Sequence, residues 1–173
     1  MLPPLITKQL VTILGEERLL LRPEDLQYYG VDRTTIWQAN PCAVVLPGSI
    51  KEVQQIILLA KEHNLAIVPS GGRTGLSGGA VAKDGEIVMA LDRLNKIREF
   101  NPLDRTVTVG AGMITENLQN FAVEQGLFYP VDFASTGSSQ IGGNIATNAG
   151  GINVIRYGMT RQWVAGLTVV TGA

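Results

Sequence analysis

The chain has 173 residues, of which 45% are hydrophobic and 17% charged, a balance that suits one compact globular domain, or two small lobes with a real core, and excludes disorder. A net charge of -1 leaves no basic footprint for nucleic acid, and no block of like charges marks a solvated tail or an anionic-membrane patch. With Cys42 as the only cysteine there is no intrachain disulfide framework and no cysteine metal site, so the expected setting is a reducing, cytoplasmic one.

The first stretch, MLPPLITKQLVTILGEERLLL, has polar residues interrupting its apolar run and no small-residue cleavage site, so it reads as an amphipathic helix within a lead segment spanning 1–40. Residues 41–46 (PCAVVL) read as a strand. Pro47-Gly48 turns the chain into Ser49, which caps a helix running to about His63, with Glu52 at capping-box spacing. Val53, Ile56, Ile57 and Ala60 form its apolar face, while Lys51, Glu52, Lys61 and Glu62 belong largely to the solvent side. Asn64 stops it, LAIVP follows as a short strand, and after a glycine-rich loop EIVMAL (86–91) is the next strand, giving a βαβ arrangement with a loop at a strand end.

A second round begins with a hairpin over 96–112 that turns at 101–105. Thr115 is expected to cap a second helix whose apolar face is Leu118, Phe121 and Ala122 and whose stop is Gly126, and LFYP (127–130) is expected as a short strand. Residues 133–155 carry no charge, long enough to span a bilayer, yet Gly, Ser, Thr and Asn fill much of the segment, so it is not a transmembrane helix. Its apolar anchors Ile141, Ile145, Ile152, Val154 and Ile155 predict an ordered, half-buried segment. WVAGLTVV (163–170) reads as a strand, and the turn-like Thr171-Gly172-Ala173 without a return strand predicts a piece of a longer polypeptide.

Ten of the twenty glycines lie in two stretches, PSGGRTGLSGG (69–79) and GSSQIGGNIATNAGG (137–151). Glycine reaches positive φ without a Cβ clash, so consecutive amides can converge on one oxyanion and hold phosphate without a lysine. The dinucleotide fingerprint G-x-G-x-x-G opening a helix is missing, and the first stretch has no lysine and runs toward a strand, which disfavours both a Rossmann site and a P-loop. A pyrophosphate clasped by loop amides from two units remains, with Ser70, Thr74, Ser77, Thr136 and Ser138 as hydroxyl donors. Arg73 has two readings, phosphate partner or solvent-facing loop residue, and Arg156, Tyr157 and Arg161 either line a site for an acidic substrate or end the uncharged segment against water. His63, the only histidine, reads as a surface residue complementing a helix dipole, Cys42 as packing, Asp132 as a turn or cap residue, and Trp37 and Trp163 as core or interlobe packing.

Three stretches, PSGGRTGLSGG, IGGNIATNAGG and RYGMTRQWVAGLTVV, resemble the FAD-linked oxidases and dehydrogenases of the vanillyl-alcohol oxidase and p-cresol methylhydroxylase type, over roughly 41–173. The branch they are most similar to is that of the D-lactate, glycolate and D-2-hydroxyglutarate dehydrogenases. The resemblance implies an α+β (α/β) PCMH-type FAD-binding domain over 41–173, two small lobes with the cofactor between them, lacking its C-terminal end and its substrate domain. It implies that Pro69, Ser70, Gly71, Gly72, Arg73, Thr74, Gly75 and Ser77 wrap the FAD pyrophosphate. It implies too that Thr136, Gly137, Ser138, Gly142, Gly143, Asn144, Thr147, Asn148 and Gly150 follow the ribityl chain and ring. Some relatives attach flavin through a histidine in the first loop; here that loop has neither histidine nor cysteine, which implies noncovalent FAD. The implied reaction is oxidation of a 2-hydroxy acid by hydride transfer to the flavin, with electrons passing to a quinone, cytochrome or electron-transfer protein. Peripheral membrane association would come through such partners. No catalytic residue and no metal ligand is named within this chain. The rival readings are another FAD enzyme of the same fold, of the UDP-N-acetylmuramate reductase or molybdenum hydroxylase flavin-subunit type, and a nonenzymatic nucleotide-phosphate-binding module.

Overall fold

The computed structural model describes residues 2–172, which divide into two compact units: residues 2–93 with 169–172, and Leu94–Thr168.

The first unit is built on a four-stranded sheet. Its strands are β1 (Leu19–Leu20), β2 (Ala43–Val45), β3 (Ile67–Ser70) and β4 (Ile87–Ala90), in the order β1-β2-β4-β3. β2 and β3 both run parallel to β4, whereas β1 is antiparallel to β2. Strands buried on both faces read as continuous apolar runs, and β2 and β4 are buried throughout. Alternate residues then face opposite ways. Ala43, Val45, Ile87 and Met89 join one cluster with Leu10, Leu14 and Ile56, while Val44, Val88 and Ala90 join another with Ala82, Leu26 and Tyr29.

Helices α1 (Pro4–Leu14) and α3 (Ile50–Glu62) supply the first of these clusters. Ile6, Leu10 and Leu14 recur every four residues along α1 and are all buried, each adding about 1.5–3 kcal/mol of transfer free energy. The amphipathic helix expected at the start is therefore real but shorter than the stretch 1–21. Gly15 ends it at φ 84°, a short 3-10 turn follows, and Leu19–Leu20 goes into the sheet. The rest of the lead segment continues through α2 (Pro23–Tyr29), so residues before Pro41 are part of this unit's core.

α3 begins as its sequence predicts: the Ser49 side chain accepts from Glu52 N–H at 3.2 Å. Glu52 departs from the expected solvent face, because its carboxylate accepts Gly48 N–H at 2.6 Å and Arg18 Nη1 at 2.8 and 2.9 Å. Burial alone would push this carboxyl up, but the Gly48 amide, the Arg18 guanidinium and the Ser49 amide outweigh it and hold the pKa below the usual carboxylate range.

The second unit opens with the predicted hairpin, β5 (Ile97–Asn101) paired antiparallel with β6 (Thr106–Val109). Its turn is organised by Asn101 Oδ1, which accepts from Leu103 N and Asp104 N, and by Arg105 in the left-handed region at φ 54°. Helix α4 (Thr115–Glu124) follows, and Met113, Leu118 and Ile141 form this unit's core with Val107, Phe121, Tyr129 and Ile145 around them. Burial lifts the Tyr129 phenol to about 12.

Three expectations fail in this unit. Thr115 is not the cap of α4: Ile114 holds that position, and Thr115 is fully buried, its hydroxyl 2.7 Å from Ser139 Oγ and accepting from Asn144 Nδ2 at 2.7 Å. Residues 127–130 form no strand: the chain leaves the left-handed turn at Gly126 (φ 69°) and pairs with no strand among the described residues. Residues 163–170 form none either: Thr160–Trp163 is a 3-10 turn, and the stretch beyond it carries no ladder among the described residues. Aromatic or β-branched composition identifies a chain that could pair, and pairing needs a partner edge.

Candidate functional site

The first glycine stretch leaves the C-terminal end of β3 and returns to the sheet at β4 without opening a helix, as its sequence predicts. Pro69 is paired across from Met89, and Ser70, the last strand residue, is fully buried. The Ser70 hydroxyl has no hydrogen-bond partner among the described residues, an arrangement that costs about 1–3 kcal/mol if nothing fills it. Gly71, Gly72, Arg73 and Thr74 are half-buried, and Gly75 and Ser77 are exposed. The left-handed positions fall at Arg73 (φ 57°) and Gly78 (φ 75°). An added Cβ at Gly78 would run into the Trp37 ring, so this glycine is required twice over.

Arg73 does not reach into solvent. Its Nη1 donates to Gly71 O at 3.0 Å and its Nη2 to Tyr28 Oη at 3.0 Å, and its side chain is 15% exposed. The sequence offered no sign of this, since Tyr28 lies forty-five positions earlier. Asp32 was also missed. It is buried, with Oδ1 accepting from Thr34 N at 2.7 Å and Oδ2 without a partner among the described residues, close beside Gly75.

The second stretch is not a loop throughout. Ile141–Thr147 forms the short helix α5, which Asn148 ends in the left-handed region at φ 50°. Gly142 lets α5 lie against Ala111, to whose carbonyl its amide donates at 2.8 Å, and Gly151 leaves no room for a Cβ against the Asp132 backbone. Asn144 faces inward and is 4% exposed, donating to Thr115, while Gly143 and Thr147 are exposed and Gly150 is half-buried. Thr136 accepts the Glu116 amide through its carbonyl, with Gly137 and Ser138 exposed beyond it. Asn148 Oδ1 accepts Arg161 N–H at 3.0 Å, and Thr160 donates to Ala149 O through both its hydroxyl and its amide. The expected anchors hold only in part: Ile141 is buried and Ile145 and Val154 are half-buried, but Ile152 and Ile155 are 79% and 99% exposed. Thr160 and Ser139 were missed, because a Thr or Ser that latches a loop looks in sequence like any surface hydroxyl.

Other candidates have no chemistry around them. Burial raises the Cys42 thiol pKa, which fits packing and not a reactive thiolate. Trp163 is 44% exposed with its indole donating to Tyr157 O, so it is not core, and Arg156 lies over the Tyr157 ring. Among the described residues no group of acidic, histidine and cysteine side chains could hold a metal, and no helix is long and apolar enough to cross a membrane.

A family model described as an FAD binding domain matches residues 41–173. The chain belongs to this FAD-binding domain family. Relatives of the domain include a D-2-hydroxyglutarate dehydrogenase of Xanthomonas citri, 63% identical over 90% of this chain and 33% of the relative. The D-2-hydroxyglutarate dehydrogenase of Stutzerimonas stutzeri is 54% identical over 99% of this chain and 37% of the relative. The glycolate oxidase subunit GlcD of Bacillus subtilis is 36% identical over 95% and 35%. The chain thus spans about a third of the length of these relatives. An alkyldihydroxyacetonephosphate synthase structure superposes with a TM-score of 0.85 at 21% identity, covering 94% of this chain and 32% of the other. A p-cresol methylhydroxylase structure superposes at 0.66 and 18%, covering 84% and 29%. The fold of the FAD-binding domain is therefore the PCMH-type α+β fold that the sequence resembles.

The residues present fit the cofactor. A fully buried hydroxyl without a partner among the described residues stands at the last residue of β3, where the loop of small residues begins, and is a donor that an acceptor from outside the chain would satisfy. The loop supplies further backbone amides and no carboxylate of its own, although the buried Asp32 carboxylate stands beside it at Gly75.

Proposed function

We propose that this domain serves a flavin-dependent dehydrogenase that oxidises a 2-hydroxy acid, with D-2-hydroxyglutarate the first substrate to test. The observation that carries this reading is the pair of relatives bearing that name at 63% and 54% identity over nearly all of this chain. Glycolate and D-lactate follow from the names of more distant relatives.

Ser70, Gly71, Gly72, Thr74, Gly75 and Ser77 hold the pyrophosphate, with Ser70 donating through its hydroxyl and the others through backbone N–H groups or, at Thr74 and Ser77, also the side chain, while Pro69, which has no N–H to donate, sets the backbone leading into the loop. Thr136, Gly137, Ser138, Gly142, Gly143, Thr147, Asn148 and Gly150 take the ribityl and ring end. Asn144 acts there through Thr115, since its amide is turned into the core. When bound, the flavin supplies the hydride acceptor. The protein's part is orientation: α5 and the Thr160 latch keep the second stretch in one shape, and the sheet end fixes the first.

The first loop contains no histidine or cysteine, so the FAD is held noncovalently and heat or acid denaturation should release all of it. Electrons leave to a quinone, a cytochrome or an electron-transfer protein, in a cytoplasmic enzyme that meets membranes only through such a partner. The decisive experiment is anaerobic bleaching of the full-length holoprotein near 450 nm by a panel of 2-hydroxy acids, with NADH and NADPH as controls. Bleaching by D-2-hydroxyglutarate but not by the nicotinamides is expected. A colourless protein that takes up no FAD overturns the reading.

A further inference from the structure

The first glycine loop is held along its length by chain that precedes the residues the family model matches. Tyr28 Oη accepts from Arg73 Nη2 at 3.0 Å, and the Arg73 guanidinium carbon lies 4.6 Å from the centre of the Tyr28 ring and 4.9 Å from that of Tyr29. The two rings meet edge to face at 4.9 Å, which fixes the pocket the cation enters. Arg73 Nη1 turns back to its own loop at Gly71 O, with Asp92 Oδ2 at 3.9 Å. Further along, Arg33 N–H donates to Gly75 O at 3.0 Å, and the Trp37 ring occupies the space beside Gly78. The return arm is tied in the same way: Ala82 N–H donates to Gly30 O at 3.0 Å, Asn40 N–H to Ala82 O at 2.7 Å and Gly85 N–H to Asn40 O at 3.0 Å.

A glycine-rich loop left to itself would lose more backbone entropy than any other sequence on closing around a ligand. Here the fixed points recur at Arg73, Gly75, Gly78, Ala82 and Gly85, each held from residues 28–40.

We propose that residues 28–40 are a template that sets the first glycine loop in its ligand-ready shape, with Arg73 as the anchor. Resting on the FAD reading above, this makes Arg73 a positioning residue. Its charge is engaged by Tyr28, Tyr29, Gly71 and, at 3.9 Å, Asp92, and the phosphates are left to the backbone amides and Ser70. The template also explains why a bulky residue sits in the left-handed region at φ 57°: the guanidinium contacts hold it there.

The test measures FAD dissociation constants for the full-length protein and for Tyr28→Leu, Arg73→Gln and the double variant. Tyr28 is 59% exposed, so its loss spares the core. Each single change should weaken FAD about tenfold, the double should be no weaker than the worse single, and saturating FAD should restore the wild-type flavin spectrum. The salt dependence of FAD binding should be the same in Arg73→Gln as in the wild type, since a lost phosphate contact would flatten it. Amide hydrogen exchange without FAD should quicken across 71–79 in Tyr28→Leu. Additive losses, a Tyr28→Leu affinity equal to wild type, or a flattened salt dependence overturns the template. If the wild type binds no FAD, the functional reading fails, and the exchange result still decides: faster exchange in Tyr28→Leu upholds the template, unchanged exchange overturns it.

Discussion

Ser70 carries the residue-scale case for the cofactor. A buried hydroxyl without a partner costs the folded chain about 1–3 kcal/mol, and a hydrogen bond to a charged phosphate oxygen returns about 1.5–3 kcal/mol. Ser70→Ala should therefore act with opposite signs in the two states. The apoprotein should be unchanged or more stable by up to about 1 kcal/mol in urea unfolding, while FAD binds roughly tenfold more weakly by fluorescence titration. A variant equally destabilised with and without FAD would place Ser70 in structure alone. Gly78→Ala tests the neighbouring geometry. Its Cβ would meet the Trp37 ring in a left-handed backbone, so a loss of about 2–3 kcal/mol in stability is expected in the same unfolding assay. At this scale the glycine pattern signalled close approach, at Gly78, Gly142 and Gly151, and not positive φ, which among the ten glycines of the two stretches only Gly78 adopts while Arg73 and Asn148 take left-handed positions. The roles of Arg73, Asp32 and Thr115 were not legible, since Tyr28, Gly75 and Ser139 reach them only through the fold.

Helix α3 shows what can be read at the scale of an element. Its start was visible as Ser49 and Glu52, and its stop as Asn64, because capping is settled within four residues. The partner of Glu52 was not visible, as Arg18 arrives from the turn after α1. Glu52 has a lowered pKa in the folded state, so its contribution is fully present above the ordinary value of 4.5 and is lost as pH falls through the lowered one. Glu52→Gln should cost about 1–2 kcal/mol at pH 7, and the gap from wild type should close in acid, as followed by thermal melts from pH 7 to pH 3. A gap that does not change with pH would mean the carboxylate is not held as described. The failed strands at 127–130 and 163–170 mark the other limit. Aromatic residues at 127–130 and β-branched ones at 163–170 mark chain that could pair, but Phe128, Leu167 and Val169 are exposed, and only the position of a neighbouring edge decides whether such a run becomes a strand. The second glycine stretch misled for a related reason. Ile141, Asn144 and Ile145 carry a helical spacing that five glycines obscure.

For the molecule as a whole, the α+β class and the βαβ core could be read from sequence because they rest on periodicity, and the second unit, which begins at Leu94, opens close to the hairpin at 96 that starts the second round in the sequence, although no composition shift or linker marks the division. Each unit carries one glycine stretch on a core of its own, and this makes the two halves of the cofactor assignment separately testable. A ligand that binds only the folded state stabilises it by RT ln(1 + [L]/Kd), about 2.7 kcal/mol at a hundred times Kd. Excess FAD should thus raise the melting temperature of the full-length protein by several degrees, by an amount that grows with the logarithm of its concentration. Amide exchange under the same conditions should slow across 71–77 if the loop amides hold pyrophosphate, and across 136–150 if that stretch holds the ribityl and ring end. ADP offers the pyrophosphate without the flavin. It should slow exchange at 71–77 and leave 136–150 as in the apoprotein. ADP protection at 136–150 would transfer the phosphate to the second stretch, and FAD protection confined to 71–77 would remove the second stretch from the site.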